Sequence, residues 1–313
     1  MITNRPHILV TGAGGQLASE LMRRAAAHSV TVTALGITEL DITDAEAVRH
    51  QVTRSGATAV INAAAYTAVD KAESEQDVAY AVNRDGPTHL AEACAEAEIP
   101  LIHVSTDYVF DGTKQTPYTE DDPVHPVSVY GASKEAGERA VREAWPHHLI
   151  LRTAWVYSPF GHNFVKTMLR LALERDSLRV VADQKGCPTA AGDLAEAILK
   201  MVKCIHTNGE APWGTYHYCG AGSTTWHGLA QAIMAQIAPT LGREVEVVPI
   251  ATADYPTPAC RPANSVLDCS RIRTALDLEP RPWREAVKEV VAELLGNEAP
   301  ARVDRGIPPA SGR

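Results

Sequence analysis

Residues 101–108 read Leu-Ile-His-Val-Ser-Thr-Asp-Tyr, and residues 130–134 read Tyr-Gly-Ala-Ser-Lys. The first stretch is an apolar run that ends in polar residues, as a buried strand does, and the second begins a helical pattern. Tyr130 and Lys134 are four positions apart, which places them on one helix face about 6 Å apart along the axis. Alone, such a pair is usually solvated helix surface. Beside a strand that delivers the Thr106 hydroxyl, it predicts a general acid, because a nearby ammonium stabilises a phenolate.

A glycine turn near the amino terminus predicts a nucleotide-binding site. The apolar run 7–10 is followed by Gly12, Gly15 and Ala18 in a G-x-x-G-x-x-A spacing, and then by an amphipathic helical pattern. Gly12 permits a tight turn, Gly15 lets the backbone approach a pyrophosphate at the helix N-terminus, and Ala18 lets the helix pack close to the sheet. The spacing differs from G-x-G-x-x-G because Leu17 occupies its last position. A glycine turn without a ligand is the alternative that this segment leaves open.

The end of the second predicted strand, residues 30–35, bears on the choice of cofactor. In nucleotide-binding folds an acidic residue there holds the ribose 2′-hydroxyl of NAD, and an arginine accepts the 2′-phosphate of NADP. Neither type occurs at residues 34–37. We therefore expect NADPH to be the cofactor and NADH to be accepted as well. Just beyond, Asp44 is predicted to cap a helix over residues 45–53.

The composition of the chain limits the classes of function. Its 313 residues are 45% hydrophobic and can bury a large core, and its net charge of −9 disfavours nucleic acid or an anionic membrane as the main partner. No apolar run approaches the ~20 residues of a spanning helix, and the first residues lead into a strand without a signal peptide, so we expect a cytoplasmic protein. The six cysteines and twelve histidines have no metal-ligand spacing, which predicts neither a metal site nor a disulfide framework.

Four motifs follow one another along the chain. They are Asn-Ala-Ala-Ala-Tyr-Thr-Ala-Val-Asp-Lys-Ala-Glu at 62–73, Ser-Thr-Asp-Tyr-Val-Phe at 105–110, the Tyr-Gly-Ala-Ser-Lys motif, and Arg-Thr-Ala-Trp-Val-Tyr at 152–157. Together they resemble the sugar-nucleotide branch of the extended short-chain dehydrogenase/reductases, and within it the dTDP-4-dehydrorhamnose reductases. The resemblance extends from Gly12 to about Leu295. It implies an α/β fold with a Rossmann-type doubly wound parallel sheet and a smaller C-terminal substrate-binding domain.

The resemblance also predicts how the chain divides into domains. Residues 1–157 are expected to form the NAD(P)-binding Rossmann domain, to which a segment at about 178–206 returns. Residues 158–177 and 207–295 are expected to form the substrate domain. Residues 296–313, rich in Pro, Gly and Arg, are expected to be a disordered tail.

The resemblance implies roles for the catalytic residues. Hydride passes from the nicotinamide to the substrate carbonyl, Tyr130 protonates the oxygen, and Lys134 holds the ribose and lowers the pKa of Tyr130. Thr106 and Asp107 position the sugar. The residues expected to contact the cofactor are Gly12, Gly15, Gln16, Leu17, Asp41, Ile42, Ala64, Ala65, Tyr66, Thr67, Val104, Tyr130 and Lys134.

Three further residues are candidates for substrate binding. Trp155 at a strand end is either a core aromatic residue or a stacking surface for a sugar or base, and the resemblance favours stacking. Asn163 begins a helix and is placed to face a polar ligand. Arg261 lies on a Pro-rich loop, where a guanidinium suits either a diphosphate or a structural ion pair.

The function that the resemblance implies is reduction of the 4-keto group of dTDP-4-dehydro-6-deoxy-L-mannose to dTDP-L-rhamnose. A ketoreductase of an antibiotic deoxysugar or streptose pathway carries the same motifs and stays open. A 4,6-dehydratase fits less well, because that group has Thr-Asp-Glu where this chain has Tyr108 in the Glu position. The regulatory subunit of methionine adenosyltransferase, a binding partner from a different class, also resembles the family. The complete set of Tyr130, Lys134 and Thr106 disfavours that role.

Some dehydrorhamnose reductases dimerise around a magnesium ion held by glutamates from three segments. Glu20 and Glu293 occupy the first and third of these places, but Gly192 occupies the second. Asp193 is one residue later and therefore about 100° around the helix. Because Mg²⁺ needs several oxygen ligands in near-octahedral order, we expect a monomer, or a dimer that does not depend on metal.

Overall fold

The computed structural model describes residues 5–297. The strands in this part of the chain are β1 (His7–Thr11), β2 (Thr31–Leu35), β3 (Ala59–Asn62), β4 (Leu101–Thr106), β5 (His148–Thr153), β6 (Val156–Tyr157), β7 (Ser177–Val181), β8 (Lys185–Gly186), β9 (Thr189–Ala190), β10 (Gly214–His217), β11 (Thr224–Thr225) and β12 (Glu246–Ile250). The helices are α1 (Gln16–Arg24), α2 (Ala45–Arg54), α3 (Val69–Ala72), α4 (Gln76–Tyr80), α5 (Gly86–Glu96), α6 (Val129–Ala144), α7 (Phe164–Glu174), α8 (Ala191–Asn208), α9 (Trp226–Leu241), α10 (Ser270–Leu276) and α11 (Trp283–Asn297).

The large sheet contains six parallel strands in the order β10-β5-β4-β3-β1-β2. Its central strands are apolar and almost entirely buried, as expected of a parallel sheet that helices cover on both faces. The chain leaves β1 for β2 on one side and returns to β3 on the other, so the order reverses between β1 and β3. In such sheets ligands bind beyond the carboxyl ends of the strands at this switch point. The predicted Rossmann-type sheet is confirmed.

Side-chain caps set the start of two helices at this edge of the sheet. Asp44 accepts a hydrogen bond from the backbone N of Ala47 at 3.0 Å and caps α2, which confirms the prediction for this helix. Ser128 accepts a backbone N–H bond of 3.2 Å at the start of α6. This cap fixes where α6 begins, and therefore where Tyr130 and Lys134 lie relative to the sheet.

A π-helical turn, Ala81–Asp85, connects α4 and α5 without a break. Asn83 in this turn is fully buried, accepts a hydrogen bond from Tyr66 N at 2.9 Å and donates to the Tyr66 carbonyl oxygen at 3.0 Å. It also donates to Ser133 Oγ at 3.0 Å. Turns of this kind are rare and are frequent at functional sites. This one ties the segment after β3 to α6.

The described residues form four clusters of buried apolar residues, and the two largest lie in different parts of the fold. In the first, α1 and α8 pack against each other and against the large sheet, with Leu21 and Ile198 fully buried. The second is built on α7, α9, α11 and the short parallel pair β7–β12, and it buries Ile233, Trp283 and Val287. α8 belongs to the first core, although it lies between α7 and α9 of the second core along the chain. The two parts of the molecule therefore interleave.

Strand pairing differs from the expected domain boundaries. β10, expected in the substrate domain, is the edge strand of the large sheet because it pairs with β5. β7, most of which lies in the expected return segment, pairs with β12 outside the large sheet. α11 extends to Asn297 and so includes the first two residues of the expected tail, 296–313. The rest of that tail lies outside the described residues. Between residues 5 and 297, no helix is long and apolar enough to cross a membrane.

Candidate active site

A cleft of about 810 Å³ opens at the carboxyl ends of the strands of the large sheet. Most of the residues singled out from the sequence meet there, and both predicted sets, catalytic and cofactor-binding, share this one cavity. The predicted residues that line it are Gly12, Gly15, Gln16, Leu17, Asp41, Ile42, Ala64, Ala65, Thr67, Val104, Thr106, Asp107, Tyr130, Lys134 and Trp155.

The glycine turn is required by its backbone geometry. Gly12 has φ +79°, and a Cβ atom there would lie 2.8 Å from the backbone N of Ala64. Gly14, which the sequence analysis passed over, has φ +83°. Glycine adopts such angles at little cost, whereas other residues do not. Gly15 then caps α1 without a side chain, so the first backbone N–H groups of this helix lie beside the cleft.

The segment after β3 presents small side chains to the cleft. Ala64, Ala65 and Thr67 line it, as predicted. Tyr66, predicted to contact the cofactor, is not among the residues that line the cleft, and its hydroxyl donates to Glu75 at 2.6 Å. The tertiary partner of Tyr66, and not its place in the motif, decides where the ring points.

Other lining residues were missed. Most lie directly after a strand or beside a predicted residue, so position past a carboxyl strand end was the signal that would have found them. Ile37, beyond β2, lines the cleft and is 76% exposed. The missed residues are Ala13, Gly14, Ile37, Leu40, Ala63, Val82, Ser105, Thr153, Val156, Gly161, His162 and Leu194.

Tyr130 lies in the wall of the cleft, where burial raises the pKa of its phenol to about 12. A hydrogen bond with Thr106 acts in the opposite direction, and the charge of Asp107 adds to the rise. Lys134 was predicted to lower this pKa, but in this structure its amino group donates to the Val104 carbonyl oxygen at 2.7 Å. Thr106 is therefore the residue that favours the phenolate here.

Asp107 places a buried carboxyl group at the end of β4. Burial raises its pKa to about 6, although hydrogen bonds with Ser265 and Thr106 lower it. Its Oδ1 accepts a hydrogen bond from Thr106 Oγ1 at 3.0 Å. Thr153 lies opposite Thr106 in the register of β4 and β5, and its buried hydroxyl has no hydrogen-bond partner within the described residues. A buried, unpaired hydroxyl in a cleft wall suits a polar group of a ligand.

Lys134 is buried at the base of the cleft, with 2% of its side chain exposed. Burial lowers the pKa of its amine to about 8, and the carboxylate of Glu138, one turn later on α6, acts in the opposite direction. Glu138 is in turn bound by Arg152 on β5 through two hydrogen bonds of 2.8 and 2.7 Å. The Glu138–Arg152 ion pair was not predicted from the sequence.

Trp155 lines the cleft and stacks on Trp226, with ring centroids 3.6 Å apart and planes 7° apart. Its φ of +49° is rare for a large residue and turns the backbone sharply after β5. Asn163 differs from its prediction as a substrate residue. Its side chain caps α7 by accepting from Lys166 N at 3.1 Å, and its amide donates to Gln16 Oε1 at 3.0 Å. Asn163 therefore supports Gln16 and does not line the cleft.

Arg261 lies outside the set of residues that line the cleft. Its guanidinium binds both carboxylate oxygens of Asp70, at 2.8 and 3.0 Å, and donates to the Ala259 carbonyl oxygen at 3.3 Å. The ion-pair alternative that the sequence left open is thus the arrangement present in this structure.

Arginines contact Glu20 and Glu293, the residues at the first and third of the three glutamate places. The buried carboxylate of Glu20 accepts from Arg23 at 2.8 Å and from Arg24 at 3.1 Å. Arg23 also donates to Glu293 at 2.7 Å. The charges of Glu20 and Glu293 are therefore neutralised by arginines of the same chain.

Gly192 stands at the second of the three glutamate places, and the guanidinium of Arg24 occupies the space that a side chain there would fill. Asp193 instead forms an ion pair with Arg281, with both oxygens 2.9 Å from Nε. In the described part of the chain, no cluster of three or more His, Cys, Asp or Glu residues has the geometry to hold a metal ion.

The class of the protein follows from how these parts meet. The switch point of the sheet presents a helix N-terminus to a dinucleotide. Next to it, Tyr130 and Lys134 of α6 enter the same cavity as Thr106 at the end of β4. This arrangement defines an extended short-chain dehydrogenase/reductase.

Comparison with known proteins narrows the class to a family. The family model described as the RmlD substrate binding domain matches residues 6–295. A dTDP-4-dehydrorhamnose reductase of Sinorhizobium fredii is 44% identical over 289 residues, which cover 92% of this chain and 97% of the relative. A probable dTDP-4,6-dihydroxy-2-methyloxan-3-one 4-ketoreductase of Streptomyces antibioticus is 42% identical over 293 residues, 93% of this chain and 97% of the relative.

A solved structure agrees with these relatives. The dTDP-4-dehydrorhamnose reductase of Bacillus anthracis, crystallised in complex with NADP, is 36% identical with a TM-score of 0.86, and the match covers 92% of this chain and 99% of that one. The chain therefore belongs to the dTDP-4-dehydrorhamnose reductase family, and the resemblance stated from its motifs is confirmed.

Proposed function

We propose that this protein reduces the 4-keto group of dTDP-4-dehydro-6-deoxy-L-mannose to dTDP-L-rhamnose, with NADPH as the hydride donor. The observation that carries the proposal is the meeting of Tyr130, Thr106 and Asp107 at one point in the wall of a dinucleotide cleft. Carbonyl reduction needs a proton donor at such a point. The names of the relatives supply the sugar nucleotide.

The residues of the cleft fit a dinucleotide. The N-terminus of α1, capped by Gly15 without a side chain, offers backbone N–H groups to a pyrophosphate. Gly12 lies too close to Ala64 for any side chain, and the short side chains of Ala64 and Ala65 leave room across the edge of the sheet. When bound, the reduced nicotinamide supplies a hydride to the carbonyl carbon. Gln16, Leu17, Asp41, Ile42, Thr67 and Val104 complete the proposed cofactor site.

Tyr130 is the proposed general acid. Its pKa of about 12 keeps the phenol protonated at neutral pH, so a proton is available when the carbonyl oxygen gains charge. Thr106 lowers the pKa of the Tyr130 phenol and therefore favours the phenolate that remains. Lys134 is proposed to hold the cofactor ribose, and Asp107 to orient Thr106 and the sugar.

Trp155 and Arg261 are proposed to act on the substrate in different ways. Trp155 already stacks on Trp226, so it offers the cleft a rigid apolar wall. Arg261 is proposed to exchange its contact with Asp70 for the substrate diphosphate, since a guanidinium binds either partner with two parallel hydrogen bonds. Asn163 is not proposed as a substrate residue.

A second candidate is a ketoreductase of another deoxysugar pathway, which the Streptomyces antibioticus relative favours. Both candidates use the same acid and cofactor. NADPH consumption should therefore be measured on a panel of dTDP-keto-sugars, with each product identified by NMR. Formation of dTDP-L-rhamnose at the highest kcat/KM supports the first function, and a different preferred keto-sugar supports the second. If no keto-sugar is reduced while NADPH still binds, the protein is a non-catalytic binding partner.

We also propose a cytoplasmic protein that is a monomer or a metal-independent dimer. The Arg23 and Arg24 contacts support the absence of a shared metal, because they already neutralise Glu20 and Glu293.

A further inference from the structure

Four buried polar side chains form a chain beneath the cleft, from β1 through β3 and β4 to α6. Thr11 Oγ1 donates to Asn62 Oδ1 at 2.7 Å, Asn62 Nδ2 lies 3.0 Å from His103 Nδ1, and His103 Nε2 lies 3.5 Å from Lys134 Nζ. The first three residues have no exposed surface. The proposed reaction gives a role only to Lys134.

The backbone of Ala64 fixes the orientation of the Asn62 amide. Ala64 N lies 3.2 Å from Asn62 Oδ1 and 3.3 Å from Thr11 Oγ1. A backbone N–H can only donate, so the oxygen of the amide, and not its NH₂ group, faces Ala64 N. The Asn62 NH₂ group therefore faces His103 and donates to Nδ1. Burial is the main cause that holds the pKa of His103 well below its usual value, so the ring is neutral whether or not Lys134 is charged. A neutral imidazole that accepts at Nδ1 carries its proton on Nε2.

The proton on His103 Nε2 faces the amino group of Lys134. An ammonium group has only donors, whereas a neutral amine has a lone pair that accepts a hydrogen bond. One hydrogen of Lys134 already goes to the Val104 carbonyl oxygen at 2.7 Å. His103 therefore favours the amine over the ammonium, and the burial of Lys134 acts in the same direction.

Charged groups on the neighbouring elements do not cancel this effect. From α6, Glu138 favours the ammonium, but Arg152 of β5 holds its carboxylate in a bidentate ion pair. Arg142 of α6 and His148 of β5 both act on His103, and both lower its pKa. Tyr130, also on α6, is protonated at neutral pH.

We propose that His103 is a positioning residue that, in its Nε2–H form, stabilises Lys134 as an amine against Val104 in mildly alkaline solution, until NADPH binding brings a proton from solvent onto it. The proposal rests on the proposed function only for the placement of the ribose. Ribose hydroxyls accept hydrogen bonds from an ammonium, and the diphosphate is negative, so both favour protonation of Lys134 in the complex.

Proton uptake on NADPH binding tests the proposal without any turnover. It is measured by calorimetry in buffers of different ionisation enthalpy. At about pH 8.5 the wild-type protein should take up roughly half a proton or more per site, because an amine with a pKa of about 8 is mostly deprotonated there. His103→Phe removes the Nε2–H, and Asn62→Leu removes the amide that donates to Nδ1 and so fixes the His103 tautomer. Each should move the midpoint of proton uptake upward by about one pH unit.

His148→Phe is the matched control. It also removes a buried imidazole from the sheet, but His148 bonds to the Trp145 carbonyl oxygen and not to the chain of four residues. Burial, and not the charge of His148, is the main cause of the low His103 pKa, so His103 stays neutral in this variant. Its proton uptake should stay at the wild-type value. A general loss of packing would shift all three variants alike and would overturn the proposal.

¹⁵N NMR of the cofactor-free protein reads the tautomer directly, with the His103→Phe spectrum as the assignment. A protonated Nε2 and a bare Nδ1 on His103 support the proposal. A proton on Nδ1, or wild-type uptake in folded His103→Phe and Asn62→Leu proteins, overturns it. Normal uptake together with no reduction of any keto-sugar supports this proposal and counts against the proposed function alone.

Discussion

Glu138 and Arg152 form a buried bidentate ion pair, with Arg152 Nε 2.8 Å from Glu138 Oε1 and Nη2 2.7 Å from Oε2. The pair joins α6, which carries Tyr130 and Lys134, to β5, which ends at Thr153. Glu138 is 0% and Arg152 3% exposed. Because neither charge reaches water, each depends on the other, and the pair holds the helix of the general acid in one position against the sheet.

Glu138→Gln should therefore destabilise the protein by about 3–5 kcal/mol, since it leaves the Arg152 charge buried without a counter-ion. Burial alone would raise the pKa of Glu138, but Arg152 lowers it below its ordinary value. The stabilisation is thus present above the ordinary carboxyl pKa of roughly 4.3 and is lost as pH falls through the folded value. Urea unfolding at several pH values should show the gap between wild type and variant narrowing in acid.

The control for this substitution is Glu96→Gln. Glu96 forms an equally short ion pair with Arg49, but both side chains are about half exposed. Solvent screens such a pair, so little change in the free energy of unfolding is expected. Equal losses for the two variants would show that burial does not decide the strength of the Glu138–Arg152 pair.

Tyr130→Phe should lower turnover on the order of 10²–10⁴-fold, because the hydride step leaves an alkoxide with no proton donor. NADPH binding should persist. Lys134→Ala should weaken both turnover and binding. Steady-state kinetics and a fluorescence titration with NADPH separate the two effects, and normal turnover by Tyr130→Phe would exclude it as the general acid.

Both cofactors should support turnover, with a preference for NADPH. Beyond β2, Glu39 Oε2 accepts a hydrogen bond from Gly36 N at 2.9 Å, which holds a negative charge near the place where the adenosine ribose is recognised in this fold, so the preference for NADPH should be small. Glu39→Gln should raise kcat/KM for NADPH several-fold and change that for NADH little, because a carboxylate repels a 2′-phosphate. A wild-type preference above about a thousandfold, roughly 4 kcal/mol, would mean that another recognition residue exists.

Arg261→Ala should mainly raise KM for the sugar nucleotide. Asp70→Ala is the comparison, since it removes the partner of Arg261 but leaves the guanidinium free for a diphosphate. Initial rates over a range of substrate concentrations measure both. If the two variants change KM equally, Arg261 serves only its ion pair with Asp70.

Activity should be insensitive to EDTA, and sedimentation should give the same mass with and without Mg²⁺. The reason is that Arg23 and Arg24 already occupy the carboxylates of Glu20 and Glu293. A metal-dependent shift to a dimer would require these arginines to leave and Asp193 or another acid to supply a ligand.

Structural features that depend on residues a few positions apart could be predicted from the sequence. The Asp44 cap, the glycine turn and the Tyr130–Lys134 face each follow from local backbone geometry, and each is present in the structure. The carboxyl strand ends that gather the catalytic residues were also predictable, because parallel strands with helical crossovers end at one edge. Motif order along the chain then identified the family.

The partner that each polar side chain takes depends on the packing of the whole fold. Asn163 caps a helix, Tyr66 turns to Glu75, and Arg261 binds Asp70, which is 191 positions away in the chain. The Glu138–Arg152 pair depends in the same way on how α6 packs over β5. A buried polar group must be satisfied by whatever the fold brings within about 3 Å, and short-range patterns carry no information on that neighbour.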